Sequence, residues 1–74
     1  MEKPALQEFL ATNLPFTIVT ASGERYEVAH PDFVSIAPGA GTTVIVFGKD
    51  GVGFSLLDLT TISDVQPTSA ASQP

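Results

Sequence analysis

The stretch Phe16 to Val28, FTIVTASGERYEV, decides the fold. Phe16, Ile18 and Thr20 fall on one side of an extended chain, and Thr17 and Val19 on the other. Ala21-Ser22-Gly23 follows as a tight turn, with Gly23 able to take a positive φ. Glu24 to Ala29 then resumes the period of two, with Tyr26 and Val28 as the core pair opposite Arg25 and Glu27. Two strands joined this closely make a hairpin, and most of the chain after it keeps the same alternation of short strands and Gly turns. The expectation is a mainly β domain.

Upstream, Pro4 to Asn13 reads as one short helix. Proline suits a first helical turn, and Leu6, Phe9 and Leu10 form one apolar stripe. Leu14-Pro15 ends it, because the residue before proline is pushed out of the α region. A helix of this length does not hold alone in water, so it must lie against the strands.

Downstream, His30-Pro31-Asp32 breaks the second strand, since proline cannot donate to a ladder. Phe33 to Ile36 is a short apolar strand, followed by the loop Ala37 to Gly41. Thr42 to Phe47, TTVIVF, is the most β-prone run of the chain. It is apolar on both faces, as in a strand covered on both sides or an edge that pairs with another chain. Gly48-Lys49-Asp50-Gly51 is a second hairpin turn, and Val52 to Leu59 the returning strand. On it Phe54, Leu56 and Asp58 share one face. Thr60-Thr61 makes a tight turn, and Ile62 to Val65 a last strand. A single domain over residues 1–66 is expected, with 67–74, PTSAASQP, as a disordered tail lacking large apolar groups.

A domain of 74 residues has a marginal core, and such domains lean on disulfides, metals or partner subunits. The chain has no cysteine, and with one histidine a zinc site would need carboxylates for nearly all its ligands. Oligomerisation is the remaining support. Composition agrees: 43% of residues are hydrophobic and 15% charged, against the usual ~25% charged, so apolar surface needs a cover. The formal net charge is -5, and Lys3, Arg25 and Lys49 are the only basic residues. That is a poor surface for phosphates or anionic lipid. No apolar run approaches the ~20 residues of a membrane helix, and no secretory leader is apparent at the start, which makes a cytoplasmic protein the expectation.

His30 is the sole imidazole, and a general base, pH switch or metal ligand would be drawn from it, with Asp32 to orient it. The alternative, which we favour, is a shaped strand break in which His30 caps the strand, Pro31 fixes φ and Asp32 bonds backbone amides. Asp32, Asp50, Asp58 and Asp64 lack the spacing of a cation loop and read as solvated charge. Asp58 stands apart, inside LLDLTTI, where it either points outward or bonds the amides near Thr60-Thr61. Gly48-Lys49 lacks the phosphate-loop spacing, and Ser22 and Ser55 lack a nucleophile context. Phe33, Phe47 and Phe54 are possible stacking platforms for single-stranded nucleic acid but read as core. Candidate interaction or structural residues are therefore His30, Asp32, Phe33, Val44, Val46 and Asp58, with no cofactor, metal or catalytic set.

The order of elements, with LTTISDV as a closing turn and strand, resembles the Sm-like family. That resemblance implies a small, strongly bent, five-stranded β-barrel of Src-homology-3-like type with a short N-terminal helix. It also makes RNA binding the alternative function. The Lys-His pair and basic rim of that family's RNA chaperones have no counterpart here; Leu57-Asp58-Leu59 stands in the corresponding stretch. Pro15-Phe16-Thr17-Ile18, Ser22-Gly23-Glu24-Arg25, Val28-Ala29-His30-Pro31-Asp32-Phe33 and Asp58-Leu59-Thr60-Thr61-Ile62 are similar to the pattern of a group of small bacterial proteins. This resemblance implies a family and a fold but no activity. The leading expectation is a non-enzymatic interaction module that forms a homo-oligomer through strand edges and engages a further protein partner.

Overall fold

The computed structural model describes residues 1–48 and 50–67. Helix α1 spans Lys3–Ala11, and six strands follow: β1 Phe16–Thr20, β2 Arg25–Val28, β3 Val34–Ile36, β4 Thr43–Phe47, β5 Phe54–Asp58 and β6 Ile62–Pro67. Single 3-10 turns, Pro31–Phe33 and Leu59–Thr61, sit between β2 and β3 and between β5 and β6. The strands form two antiparallel three-stranded sheets, ordered β2-β1-β6 (sheet I) and β3-β4-β5 (sheet II).

The mainly β expectation holds, but the five-stranded barrel does not, because neither sheet closes. The reason lies in HPDF. A barrel needs one long bent strand to carry the ladder from one half to the other. Pro31 instead opens a 3-10 turn, and Phe33 N–H donates to His30 C=O at 2.9 Å within it. The segment is cut into β2, which pairs in sheet I, and β3, which pairs in sheet II.

Both sheets turn an apolar face to one core. Phe16, Ile18, Val28, Ile62 and Val65 come from sheet I, Val34, Val44 and Val46 from sheet II, and Leu59 from the second 3-10 turn. Leu6 of α1 is fully buried among them, and the Phe9 ring lies 5.9 Å from that of Phe16. The helix stripe thus docks as its spacing requires. It ends before Leu14-Pro15, with Thr12 as cap and Asn13 at a φ of 58°. That left-handed residue turns the chain toward β1. Lys3 Nζ ties the start of the helix to the β3–β4 loop through the carbonyls of Ala37 and Gly39.

The first hairpin has the expected form. Gly23 sits at a φ of 93°, and Thr20 O accepts from its N–H at 2.9 Å. At the other end β6 runs to Pro67, two residues past the expected strand and into the segment expected as a tail. The rest of that expectation, 68–74, lies outside the described residues.

Candidate functional site

The outer face of sheet II carries the feature that distinguishes this molecule. In β4, Val44 and Val46 point inward and are buried, which leaves Ile45 and Phe47 on the outside. In β5, Phe54 and Leu56 are each 63% exposed, while Ser55 and Leu57 turn inward. The register sets Phe47 against Phe54 and Ile45 against Leu56. The result is a contiguous apolar block of four side chains. The two rings lie 6.5 Å apart at a tilt of 54°, a favourable aromatic geometry. Val52, in the turn beside them, is 75% exposed. Cross-strand pairs of this kind each contribute about 0.2–1 kcal/mol to the sheet, but the block as a whole remains in contact with water.

Two grooves run along β5. One, of about 450 Å³, is lined by Arg25 and Tyr26 from β2 and by Phe47, Phe54 and Ser55. The other, of about 500 Å³, is lined by Ser22, Glu24 and Tyr26 on one side and by Leu56 and Asp58 on the other. Tyr26 lines both. Its hydroxyl donates to Glu24 Oε1 at 2.8 Å. That hydrogen bond, aided by partial burial and the nearby carboxylate charge, raises the phenol pKa above its ordinary value.

The residues singled out from the sequence sort into distinct places. Val44 and Val46 are core residues, so TTVIVF does not present them to a partner. β4 is also the central strand of its sheet, so TTVIVF is not an edge, the second of its two expected readings, and the edges are β3 and β5. Phe33 is half-buried and packs on the core. Phe47 and Phe54, expected inside, lie on the surface.

His30 caps the first 3-10 turn: its Nδ1 accepts the N–H of Asp32 at 3.1 Å. The cap is therefore the imidazole, as the strand-break reading expected of His30, while Asp32 enters this bond through its own backbone amide as donor and not through its carboxylate as acceptor. Asp32 Oδ2 stands 3.6 Å from the same nitrogen, and both side chains are open to solvent. Neither His30 nor Asp32 lines the grooves along β5.

Asp58 caps the second 3-10 turn. Its Oδ1 accepts from Thr60 N–H at 2.9 Å and Thr60 Oγ1 at 2.8 Å, and its Oδ2 accepts from Thr42 Oγ1 at 3.1 Å. The Thr60 amide, then the Thr60 and Thr42 hydroxyls, hold its carboxyl below the ordinary carboxylate value. This is the second of the two roles its sequence context allowed.

Asp50 accepts the Val52 N–H at 2.9 Å, and Asp64 bonds Val65 N–H and Gln66 Nε2. The acidic residues are thus employed separately. Among the described residues no three His, Cys, Asp or Glu side chains are grouped to hold a metal ion. Among them also, no helix is long and apolar enough to cross a membrane.

No family model, no curated protein and no solved structure matches this chain.

Proposed function

We propose that this protein is a non-enzymatic interaction module of the cytosol that works by associating with copies of itself. The observation that supports it is the apolar block Ile45, Phe47, Phe54 and Leu56 on the outside of sheet II. A 74-residue chain with a single small core gains from covering such a face, and no other element of the described residues covers it. The polar groups beside it act as turn caps and local hydrogen-bond partners, an arrangement suited to binding more than to chemistry.

The test is solution mass by light scattering coupled to size exclusion, at low and moderate salt. The expected result is a mass well above the 7.7 kDa of one chain. Phe54→Glu should return the chain to monomer with its circular dichroism and melting curve retained. A wild-type mass of one chain at micromolar concentration overturns the proposal.

A second reading, single-stranded nucleic acid stacking on Phe47 and Phe54, is favoured by the exposure of that ring pair. Charge opposes it. Of the three basic residues, Lys3 bonds the Ala37 and Gly39 carbonyls, and Arg25 donates to Gln66 Oε1 at 3.1 Å. A fluorescent oligonucleotide whose anisotropy rises with protein, and falls again with salt, would favour this reading.

A further inference from the structure

Two three-stranded sheets that do not close leave four strand edges, and the structure treats them unequally. On β2, Arg25 and Glu27 place charge along the edge strand, a common guard against pairing. On β3 there are three residues, and the Val34 N–H already donates to Pro31 C=O. On β6, the Val65 N–H donates to the Asp64 carboxylate at 2.9 Å, and Pro67 has no N–H. Among the described residues, none guards the fourth edge, β5, in this way along Phe54 to Leu57.

The ladder shows which groups it presents. Gly48 N–H donates to Gly53 C=O, and Leu59 N–H donates to Thr42 C=O. These bonds flank β5 at both ends and share one register with its pairing to β4. Antiparallel pairs alternate between hydrogen-bonded and non-bonded. Ser55 and Leu57 therefore turn their amides toward β4. Phe54, Leu56 and Asp58 turn theirs to the open edge, where the two grooves run.

We infer that this edge pairs with β5 of a second copy, antiparallel and centred on Leu56, making one continuous sheet through both chains. The inference rests on the self-association proposed above and specifies its contact. Among two-fold registers of this strand, the one that sets Leu56 against Leu56 of the other copy also sets Phe54 against Asp58, so every outward amide of the three residues gains a partner. Moving the axis to Ser55 or Leu57 removes one end from the ladder. Charge agrees with the same register. The two Asp58 carboxylates lie at opposite ends of the pairing, away from each other. Each arrives at the Phe54 end of the opposite copy, where Arg25 and Glu27 of β2 both line the groove. The two apolar blocks merge on one side of the joint sheet, with the Leu56 side chains in contact.

Cysteine cross-linking tests this directly, because the chain has no cysteine of its own. The protein is used at full length. Leu56 and Phe54 are both exposed on the same face, so Leu56→Cys and Phe54→Cys should both fold, which melting curves check. A bonded antiparallel pair places opposed Cα atoms about 5.5 Å apart, within disulfide reach. The two Phe54 positions would be roughly 13 Å apart along the strands, beyond it.

Under mild oxidation Leu56→Cys should shift from the monomer to the dimer position on a non-reducing gel, and Phe54→Cys should not. Cross-linking of Phe54→Cys in place of Leu56→Cys overturns the register. A wild-type mass above one chain, with Leu56→Cys left uncross-linked, overturns the β5 pairing but spares the interaction module. A monomeric wild type with no cross-link overturns both.

Discussion

Sheet I and sheet II have the same strand count and the same antiparallel order, yet they meet water with opposite surfaces. Outside sheet I, Arg25 and Glu27 on β2 and Asp64 and Gln66 on β6 flank the central strand. The Arg25 guanidinium reaches across it to the Gln66 amide. Outside sheet II, the corresponding positions are Ile45, Phe47, Phe54 and Leu56. The inward faces are equally apolar, so core formation does not account for the difference. Beyond the modest gain from their cross-strand pairing, a domain that only needed to fold would gain little from four apolar groups on its outer surface. The contrast separates a shared core from an apolar outer face on sheet II, the face on which the proposed association rests.

The sharpest way to break this division is to remove one phenylalanine from each sheet. Phe16 is 1% exposed in the core, whereas Phe54 is mostly in water. Phe16→Ala should cost about 3–5 kcal/mol, enough to unfold much of a domain this small. Phe54→Ala should change the stability of the dissociated chain by no more than about 0.5 kcal/mol while weakening association. Urea titrations at a concentration low enough to keep the chain monomeric separate the two. Equal costs at both positions would end the division of labour between the sheets.

The edges extend the same comparison. Asp64 covers the Val65 N–H on sheet I, while on sheet II the amides of Phe54, Leu56 and Asp58 turn to the edge of β5. Asp64→Ala should expose a second pairing edge, and the solution mass should rise or grow heterogeneous with concentration. An unchanged mass would mean that the Asp64 carboxylate does not guard β6.

How far this could be read in advance depends on which physical rule was local. The first hairpin follows from Gly23 and a period of two, and the helix contact from the spacing of Leu6, Phe9 and Leu10. Both are settled within a few residues. TTVIVF is apolar on both faces, so its period alone cannot say which face finds a core. The chain resolves that through β5, where Asp58 shares a face with Phe54 and Leu56 and marks it as the wet side. Read across the hairpin, that one carboxylate would have placed Phe47 and Phe54 outside. Closure of a barrel was not local at all. It turns on whether Pro31 bends a strand or ends it, and the hydrogen bond from Phe33 N–H to His30 C=O shows that it ends it.

Asp58 gives a smaller and pH-dependent effect at the point where sheet II hands the chain back to sheet I. Its bonds from Thr60 and Thr42 favour the carboxylate, so its pKa in the folded state lies below the ordinary value. A depressed folded value means that the stabilisation is present above the unfolded pKa and is lost as pH falls through the folded one. Stability should therefore decline across and below the ordinary aspartate range. Asp58→Asn, which keeps an oxygen for the Thr60 amide, should flatten that decline. Denaturant midpoints measured down the acid range check it, and superimposable curves for the two proteins would remove Asp58 from the acid response.

The smallest effect concerns Tyr26, which lines both grooves between the sheets and is the one tyrosine in the chain. Its ultraviolet absorbance therefore reports a single phenol. The hydrogen bond to Glu24 favours the protonated form, so the titration midpoint should lie above that of free tyrosine. The associated stabilisation is complete below the unfolded pKa and disappears as pH rises through the folded one. Glu24→Ala removes the acceptor and its charge together, and the midpoint should fall back toward the free value. If β5 of a second copy seats beside β2, the phenol also becomes less accessible on association. The wild-type midpoint should then move upward as protein concentration rises, because burial disfavours the phenolate. A midpoint that ignores concentration while the mass changes would place the contact between copies away from this seam, on the outer face of sheet II alone.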